Sequence, residues 1–118
     1  MKSVTRLRGM HDTPQDFWLR KLNLQDRLVQ LIGSYGYRYL ETPILESTEL
    51  FLRKSGGELA SRMYSFTDAG SNSVSLRPEF TSPIVRHYLE HAEEISLPAR
   101  WQYAGPVFRY DEGGQGSG

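Results

Sequence analysis

The sequence predicts an α/β (α+β) fold in which helices flank short strands of an antiparallel sheet. Three patterns lead to this prediction: an amphipathic helix over residues 14–35, a β-hairpin around the turn at Asp68–Asn72, and a second helix that starts at Ser82-Pro83. The chain has 118 residues, of which 38% are hydrophobic and 24% are charged. Because this size and composition suit a single hydrophobic core, we expect one globular domain or part of one.

The first helix is predicted from its start signal and its periodicity. Thr13 can cap the free amides of the first turn, and Pro14 suits the first helical position. Apolar side chains then recur at three-, four- and seven-residue spacings until Gly36 ends the pattern. The sequence therefore predicts a helix over 14–35 with apolar positions at Phe17, Leu24, Leu28, Leu31 and Tyr35.

The remaining elements are predicted to be short. Alternating aromatic and polar residues before Pro43 indicate a strand that ends at an edge or a bend. Two apolar runs on either side of turn-forming residues are typical of a β-hairpin. The expected elements are a strand over 37–42, a short helix over 48–54 followed by a reversal at Gly56-Gly57, hairpin strands over 63–67 and 74–76, a helix from Ser82 to before Pro98, and a strand over 100–110.

Composition excludes several kinds of site. Fourteen Lys and Arg residues balance fourteen Asp and Glu residues, so net charge predicts no general attraction to a nucleic-acid backbone. The chain has no cysteine, which excludes a disulfide framework and a thiolate metal site. No apolar run reaches the length of a signal peptide, or the roughly 20 residues that span a bilayer. We therefore expect a cytoplasmic protein without a membrane partner.

Four segments together carry a resemblance to a known family. They are Arg8–Pro14, Gly36–Glu46, Leu76–Thr81 and Tyr103–Asp111. In this order they resemble the opening signature, motif 1, the amino-acid-binding segment and the first strand of motif 2 of histidyl-tRNA synthetases, which are class II aminoacyl-tRNA synthetases. The resemblance implies that residues 1–112 are an N-terminal part of a class II catalytic domain, with an incomplete antiparallel sheet. Residues 113–118 are expected to be a flexible Gly-rich tail.

The resemblance implies a histidine–tRNA ligase. Such an enzyme activates histidine with ATP, which Mg²⁺ accompanies, and transfers the histidyl group to tRNA(His). It further implies a homodimer of the full-length parent. Because the second half of motif 2 and motif 3 are not found within these residues, we expect the 118-residue chain alone to be inactive.

A second hypothesis is the histidine-binding regulatory subunit of ATP phosphoribosyltransferase, a paralogue without ligase activity. Residues 59–64 and Phe80 depart from the pattern of many synthetases, and this departure keeps the second hypothesis open. Many bacterial synthetases have a Lys-Glu pair before Met63-Tyr64, and they often have glycine at the position of Phe80.

Glu79 and Thr81 are the candidate histidine-binding residues. A carboxylate and a hydroxyl two residues apart can together accept hydrogen bonds from an α-ammonium group. The resemblance implies that role for both positions. Taken without their context, the same residues are more often a solvated loop carboxylate and a helix cap, and only the surrounding match reverses that preference.

Arg109 is the candidate catalytic residue. Its planar set of donors suits phosphate oxygens and the negative charge that develops during adenylate formation. The resemblance makes it the motif 2 arginine at the α-phosphate of ATP, and makes Asp111, where the family commonly has glutamate, a second ATP-binding residue. The alternative is a cross-strand ion pair of Arg109 with Asp111 or a neighbouring acid. Pro43 is implied to lie at the motif 1 dimer interface, or is an edge-strand proline.

A competing pattern lies in the second helix. His87, Glu90 and His91 fit the H-x-x-E-H spacing, which on a helix places two imidazoles one turn apart with an acid beside them. A zinc peptidase is therefore the third hypothesis. Short patterns arise by chance and no third ligand stands out, so we expect a solvated helix face and no metal site.

Overall fold

A computed structural model of the chain describes residues 3–53 and 57–111. These residues divide into two compact units, one with residues 3–37 and 111, the other with residues 38–53 and 57–110. The predicted tail over 113–118 and the predicted reversal at Gly56 lie outside the described residues. The elements in chain order are α1 (Gln15–Gly33), β1 (Arg38–Tyr39), β2 (Leu45–Ser47), α2 (Thr48–Leu52), α3 (Gly57–Ala60), β3 (Ser65–Thr67), β4 (Ser73–Leu76), α4 (Thr81–Glu90) and β5 (Trp101–Gln102).

Among the described residues of the first unit, α1 is the regular element. It confirms the helix predicted over 14–35. Pro14 occupies the position before the helix, with an extended backbone at φ −61° and ψ 158°, so the predicted capping role of Thr13 is wrong. The carbonyl of Pro14 accepts the first helical hydrogen bond from the Trp18 amide, at 2.9 Å. The helix ends at Gly33. In the turn that follows, Gly36 has a φ of 89°, a left-handed conformation that a residue without a Cβ adopts at little cost.

The second unit contains a three-stranded antiparallel sheet in the order β2-β4-β3. Strands β3 and β4 form the predicted hairpin, with Phe66 opposite Val74. In its turn the Asp68 carboxylate accepts hydrogen bonds from the amides of Gly70, at 2.9 Å, and Asn72, at 2.8 Å. The bond from the Asn72 amide, more than the others, lowers the pKa of Asp68. The α/β prediction with a small antiparallel sheet is confirmed.

Strands β1 and β5 form a separate pair, and this pair is parallel, with Arg38 opposite Trp101. The strand predicted over 100–110 is wrong in its extent, since it forms only Trp101–Gln102. Gly105 has a φ of 148°, which interrupts a regular strand. Beyond it the amides of Phe108 and Tyr110 bond to the carbonyls of other segments rather than to β1.

The core of the second unit lies between α2 and β4. Phe51 is fully buried and Val74 is nearly so. The fully buried Ser75 lies beside them, and its hydroxyl is 2.7 Å from the hydroxyls of both Thr48 and Ser65. The buried Ser75 hydroxyl therefore has hydrogen-bond partners in the sheet and in α2. Among the helices in the described part of the chain, none has the length and apolar character to cross a bilayer.

Candidate functional site

Arg109 lies against the segment that contains Glu79 and Thr81. Its Nε donates a hydrogen bond of 2.8 Å to the backbone carbonyl of Pro78, which is 31 residues away in the chain. A guanidinium anchored through Nε still presents its two terminal nitrogens as a pair, the arrangement that binds two oxygens of a phosphate or a carboxylate. The structure thus brings the candidate catalytic residue to the candidate histidine-binding segment.

The backbone on both sides of Arg109 is also held. The Phe108 amide donates to the Arg77 carbonyl at 2.9 Å, and the Tyr110 amide donates to the Arg62 carbonyl at 2.7 Å. The Nε of Arg62 in turn donates to the Tyr110 carbonyl at 3.3 Å. Because its two neighbours are bonded, the position of Arg109 depends on segments that are distant in the sequence.

Glu79 is half-buried at the start of α4 and caps this helix. Both of its carboxylate oxygens accept a hydrogen bond from the Ser82 amide, at 3.2 and 3.1 Å. The predicted start at Ser82-Pro83 is therefore off by one residue, since α4 begins at Thr81 and the Ser82 side chain makes no cap. A carboxylate at a helix start is also favoured by the positive end of the helix dipole.

Glu79 and Thr81 flank the same helix start, and Thr81 is exposed there. Each oxygen of an ionised carboxylate can accept more than one hydrogen bond, so Glu79 retains acceptor capacity while it caps the helix. The histidine-binding role of Glu79 and Thr81 stays a prediction. Of the two structural roles considered from sequence, the capping role falls to Glu79 rather than to Thr81.

Arg77 is a residue of this segment that the sequence did not single out. It is 4% exposed, yet it carries a charged side chain. Its Nε donates to the Pro106 carbonyl and its Nη1 donates to the Thr42 carbonyl, both at 2.9 Å. The one sequence signal for Arg77 is its place directly before Pro78 in the histidine-binding segment.

The two other candidate residues have less defined surroundings. Asp111 is half-buried and belongs to the first unit, and its role in ATP binding stays a prediction. Pro43 is exposed between β1 and β2, next to the buried Thr42. Its role at a dimer interface also stays a prediction.

The residues of the H-x-x-E-H pattern at the end of α4 make other interactions. The His87 ring packs edge-on against Trp101, with 5.5 Å between ring centroids, and the His91 Nδ1 lies 3.0 Å from the His87 carbonyl. Glu90 forms a salt bridge with Arg86 at 2.7 Å, and this hydrogen bond lowers the pKa of the Glu90 carboxyl. Within residues 3–53 and 57–111, no group of three or more His, Cys, Asp or Glu residues could hold a metal ion.

The sequence of the chain matches known proteins. The sequence model of the histidyl-tRNA synthetase family matches residues 9–117. Histidine–tRNA ligases of Methanospirillum hungatei JF-1 and Sulfurisphaera tokodaii are 35% and 39% identical to the chain, over 92% and 95% of its length. The chain spans about a quarter of these relatives, 26% of each.

Solved structures show the same relationship. The crystal structure of apo histidyl-tRNA synthetase from S. aureus superimposes with a TM-score of 0.78 at 35% identity, covering 91% of this chain and 26% of that one. A protein from Bacillus halodurans C, described as an ATP phosphoribosyltransferase regulatory subunit/histidyl-tRNA synthetase, matches with a TM-score of 0.74 at 28% identity, covering 95% of this chain and 28% of that one. From the matches in sequence and in fold, this chain belongs to the histidyl-tRNA synthetase family.

Proposed function

We propose that the gene product containing this chain is a histidine–tRNA ligase, which activates histidine with ATP and transfers the histidyl group to tRNA(His). The observation that carries the proposal is the hydrogen bond from Arg109 Nε to the Pro78 carbonyl. It joins the candidate nucleotide-binding arginine to the segment that carries Glu79 and Thr81. Activation needs this proximity, because the carboxylate of histidine must attack the α-phosphate of ATP.

In this proposal each site residue has one task. Glu79 and Thr81 accept hydrogen bonds from the α-ammonium group of histidine and so orient its carboxylate. As the carboxylate oxygen bonds to the α-phosphorus and pyrophosphate leaves, Arg109 stabilises the negative charge on the α-phosphate oxygens. Asp111 contributes to nucleotide binding. Mg²⁺ enters with ATP as part of the substrate and neutralises phosphate charge.

The proposal includes a cytoplasmic homodimer. Three apolar residues of α1 support the dimer, because Phe17, Leu24 and Leu31 are 62%, 59% and 57% exposed. A second copy would bury such a stripe. Pro43 of motif 1 is a separate candidate for the dimer interface. Sedimentation of the full gene product tests the dimer, and cell fractionation tests the location.

Histidine-dependent exchange between pyrophosphate and ATP tests the activity. The full gene product should catalyse this exchange with histidine and not with other amino acids. Arg109→Ala should lower kcat by about 100-fold or more, as the loss of a donor to a developing oxyanion does in other enzymes. Glu79→Gln should raise the KM for histidine, since an amide cannot pair with the ammonium charge.

The regulatory-subunit hypothesis predicts a different result. The curated relatives described above are named as histidine–tRNA ligases, and this favours the ligase. Histidine binding by the full gene product without any exchange activity would contradict the ligase proposal and support the regulatory paralogue.

A further inference from the structure

We propose that Arg77 is a positioning residue, which holds the histidine-binding segment in register with the nucleotide-binding segment around Arg109. This inference rests on the proposed function, because it concerns the same site. Arg77 directs its side chain at backbone carbonyls of the protein rather than at a substrate position. Arg77 would therefore affect the reaction through the positions of Glu79 and Arg109.

The burial of Arg77 is the first argument. Burying a charged group costs free energy unless hydrogen bonds compensate for the lost water. The Arg77 guanidinium is compensated by the carbonyls of Thr42 and Pro106, both at 2.9 Å. Among the ion pairs in the described part of the chain, none involves Arg77. The side chain is thus used to join two backbone segments, which an apolar residue of the same volume could not do.

The backbone of Arg77 joins the same two segments. Its amide donates to the Ile44 carbonyl at 2.8 Å, and its carbonyl accepts from the Phe108 amide at 2.9 Å. The motif 1 segment is therefore bonded through Thr42 and Ile44, and the motif 2 segment through Pro106 and Phe108. One residue makes four hydrogen bonds that fix three segments relative to one another.

The surroundings of the guanidinium are fitted to it. Its central carbon lies 4.7 Å from the centroid of the Phe80 ring, which suits a cation–π contact. The Phe80 ring in turn packs on Tyr103, with 5.1 Å between centroids. A Cβ at Gly105 would lie 2.5 Å from Arg77 Nη2, so a side chain there would force the hydrogen-bonded guanidinium to move. Phe80 is thus part of the arrangement around Arg77.

The consequence concerns the distance between the two halves of the site. Glu79 follows Arg77 by two residues, and Arg109 directly follows the Phe108 that bonds to Arg77. Arg109 also bonds to Pro78, the residue next to Arg77. A shift of the binding segment by about 1 Å would misalign the carboxylate and the α-phosphate and can cost about 100-fold in rate. Binding of histidine or ATP alone would suffer much less, because each half keeps its own contacts.

The test uses Arg77→Lys in the full gene product. Lysine keeps the charge but loses the fork that reaches two carbonyls at once. We expect kcat for histidine-dependent exchange to fall about 100-fold, while calorimetry finds the Kd of histidine alone and that of ATP alone within about threefold of the unchanged protein. Arg86→Lys is the matched control. Arg86 joins α4 to Glu46 of β2 by a salt bridge of 2.9 Å, and its replacement by lysine should leave kcat unchanged.

Two outcomes separate this inference from the proposed function. If the unchanged protein shows no exchange, the proposed function fails before Arg77 is tested. If it is active and folded Arg77→Lys retains kcat within twofold, or loses histidine binding to the same extent as kcat, the positioning role is wrong. Should Arg77→Lys not fold, Gly105→Ala, which displaces the guanidinium without removing it, must show the same selective loss of kcat. An unchanged kcat in that folded variant would equally overturn the inference.

Discussion

Replacing Gly105 by alanine should destabilise the fold through two separate effects. The residue has a φ of 148°, where a side chain strains the backbone by about 1–3 kcal/mol. The new Cβ would also lie 2.5 Å from Arg77 Nη2, and relief of such overpacking costs about 1–3 kcal/mol. We therefore expect Gly105→Ala to lower the free energy of unfolding by at least about 2 kcal/mol.

Urea unfolding, followed by tryptophan fluorescence and circular dichroism, measures this change. Gly57→Ala is the matched control, because a Cβ at that helical position meets no atom within 4 Å, and it should be neutral or slightly stabilising. Arg77→Met removes the nitrogen that the new Cβ would meet, so the cost of Gly105→Ala should be smaller in its presence. Equal costs in both backgrounds, or a cost below about 0.5 kcal/mol, would refute the proposed contact.

Three further changes test the core, a buried hydroxyl and the hairpin turn. Phe51→Ala removes the fully buried ring of the second unit and should cost about 3–5 kcal/mol in the free energy of unfolding, measured by urea denaturation. Thr42→Val should be neutral or stabilising in the same assay, because the buried Thr42 hydroxyl has no hydrogen-bond partner among the described residues. Asp68→Asn should weaken the acid sensitivity of folding, measured as the free energy of unfolding against pH. The pKa of folded Asp68 lies below its ordinary value of 3.8, so its stabilisation is present above that value and is lost as the pH falls through the folded pKa.

Each of these predictions has an outcome that would contradict it. Leu52→Ala, at the exposed neighbour of Phe51, should cost far less than Phe51→Ala, and similar costs would contradict the position of the core. A Thr42→Val cost above about 1 kcal/mol would indicate a partner for the hydroxyl. An Asp68→Asn variant that loses as much stability in acid as the unchanged chain would show that other carboxylates dominate the acid response.

Local sequence signals predicted the elements that form from residues close together in the sequence. The apolar periodicity and Gly36 placed α1 within two residues of its observed ends. The turn-forming residues around Asp68 placed the β3–β4 hairpin, because the turn and both strands are contiguous in sequence. The family resemblance makes Glu79, Thr81 and Arg109 candidate site residues, and their roles stay predictions.

Pairings between distant segments could not be predicted in this way. Nothing in the sequence around Arg38 indicates that β1 pairs in parallel with β5, since the two strands are separated by more than sixty residues. Strand-like residues after Gln102 were expected to continue the strand, but Gly105 interrupts it and the amides that follow find other carbonyls. Both outcomes depend on which backbone groups remain available after the chain has packed.

Motifs and periodicity are properties of neighbouring residues, so they were enough to predict the family, the fold class and the candidate site residues. Tertiary structure alone decided that Glu79 caps α4, that Arg109 is anchored on Pro78 and that Arg77 joins three segments. The physical reason is that each of these contacts needs a hydrogen-bond acceptor or donor whose position depends on the folded backbone. The carbonyls that surround the buried Arg77 come from segments about 30 residues away, so its neighbours in the sequence do not reveal these contacts.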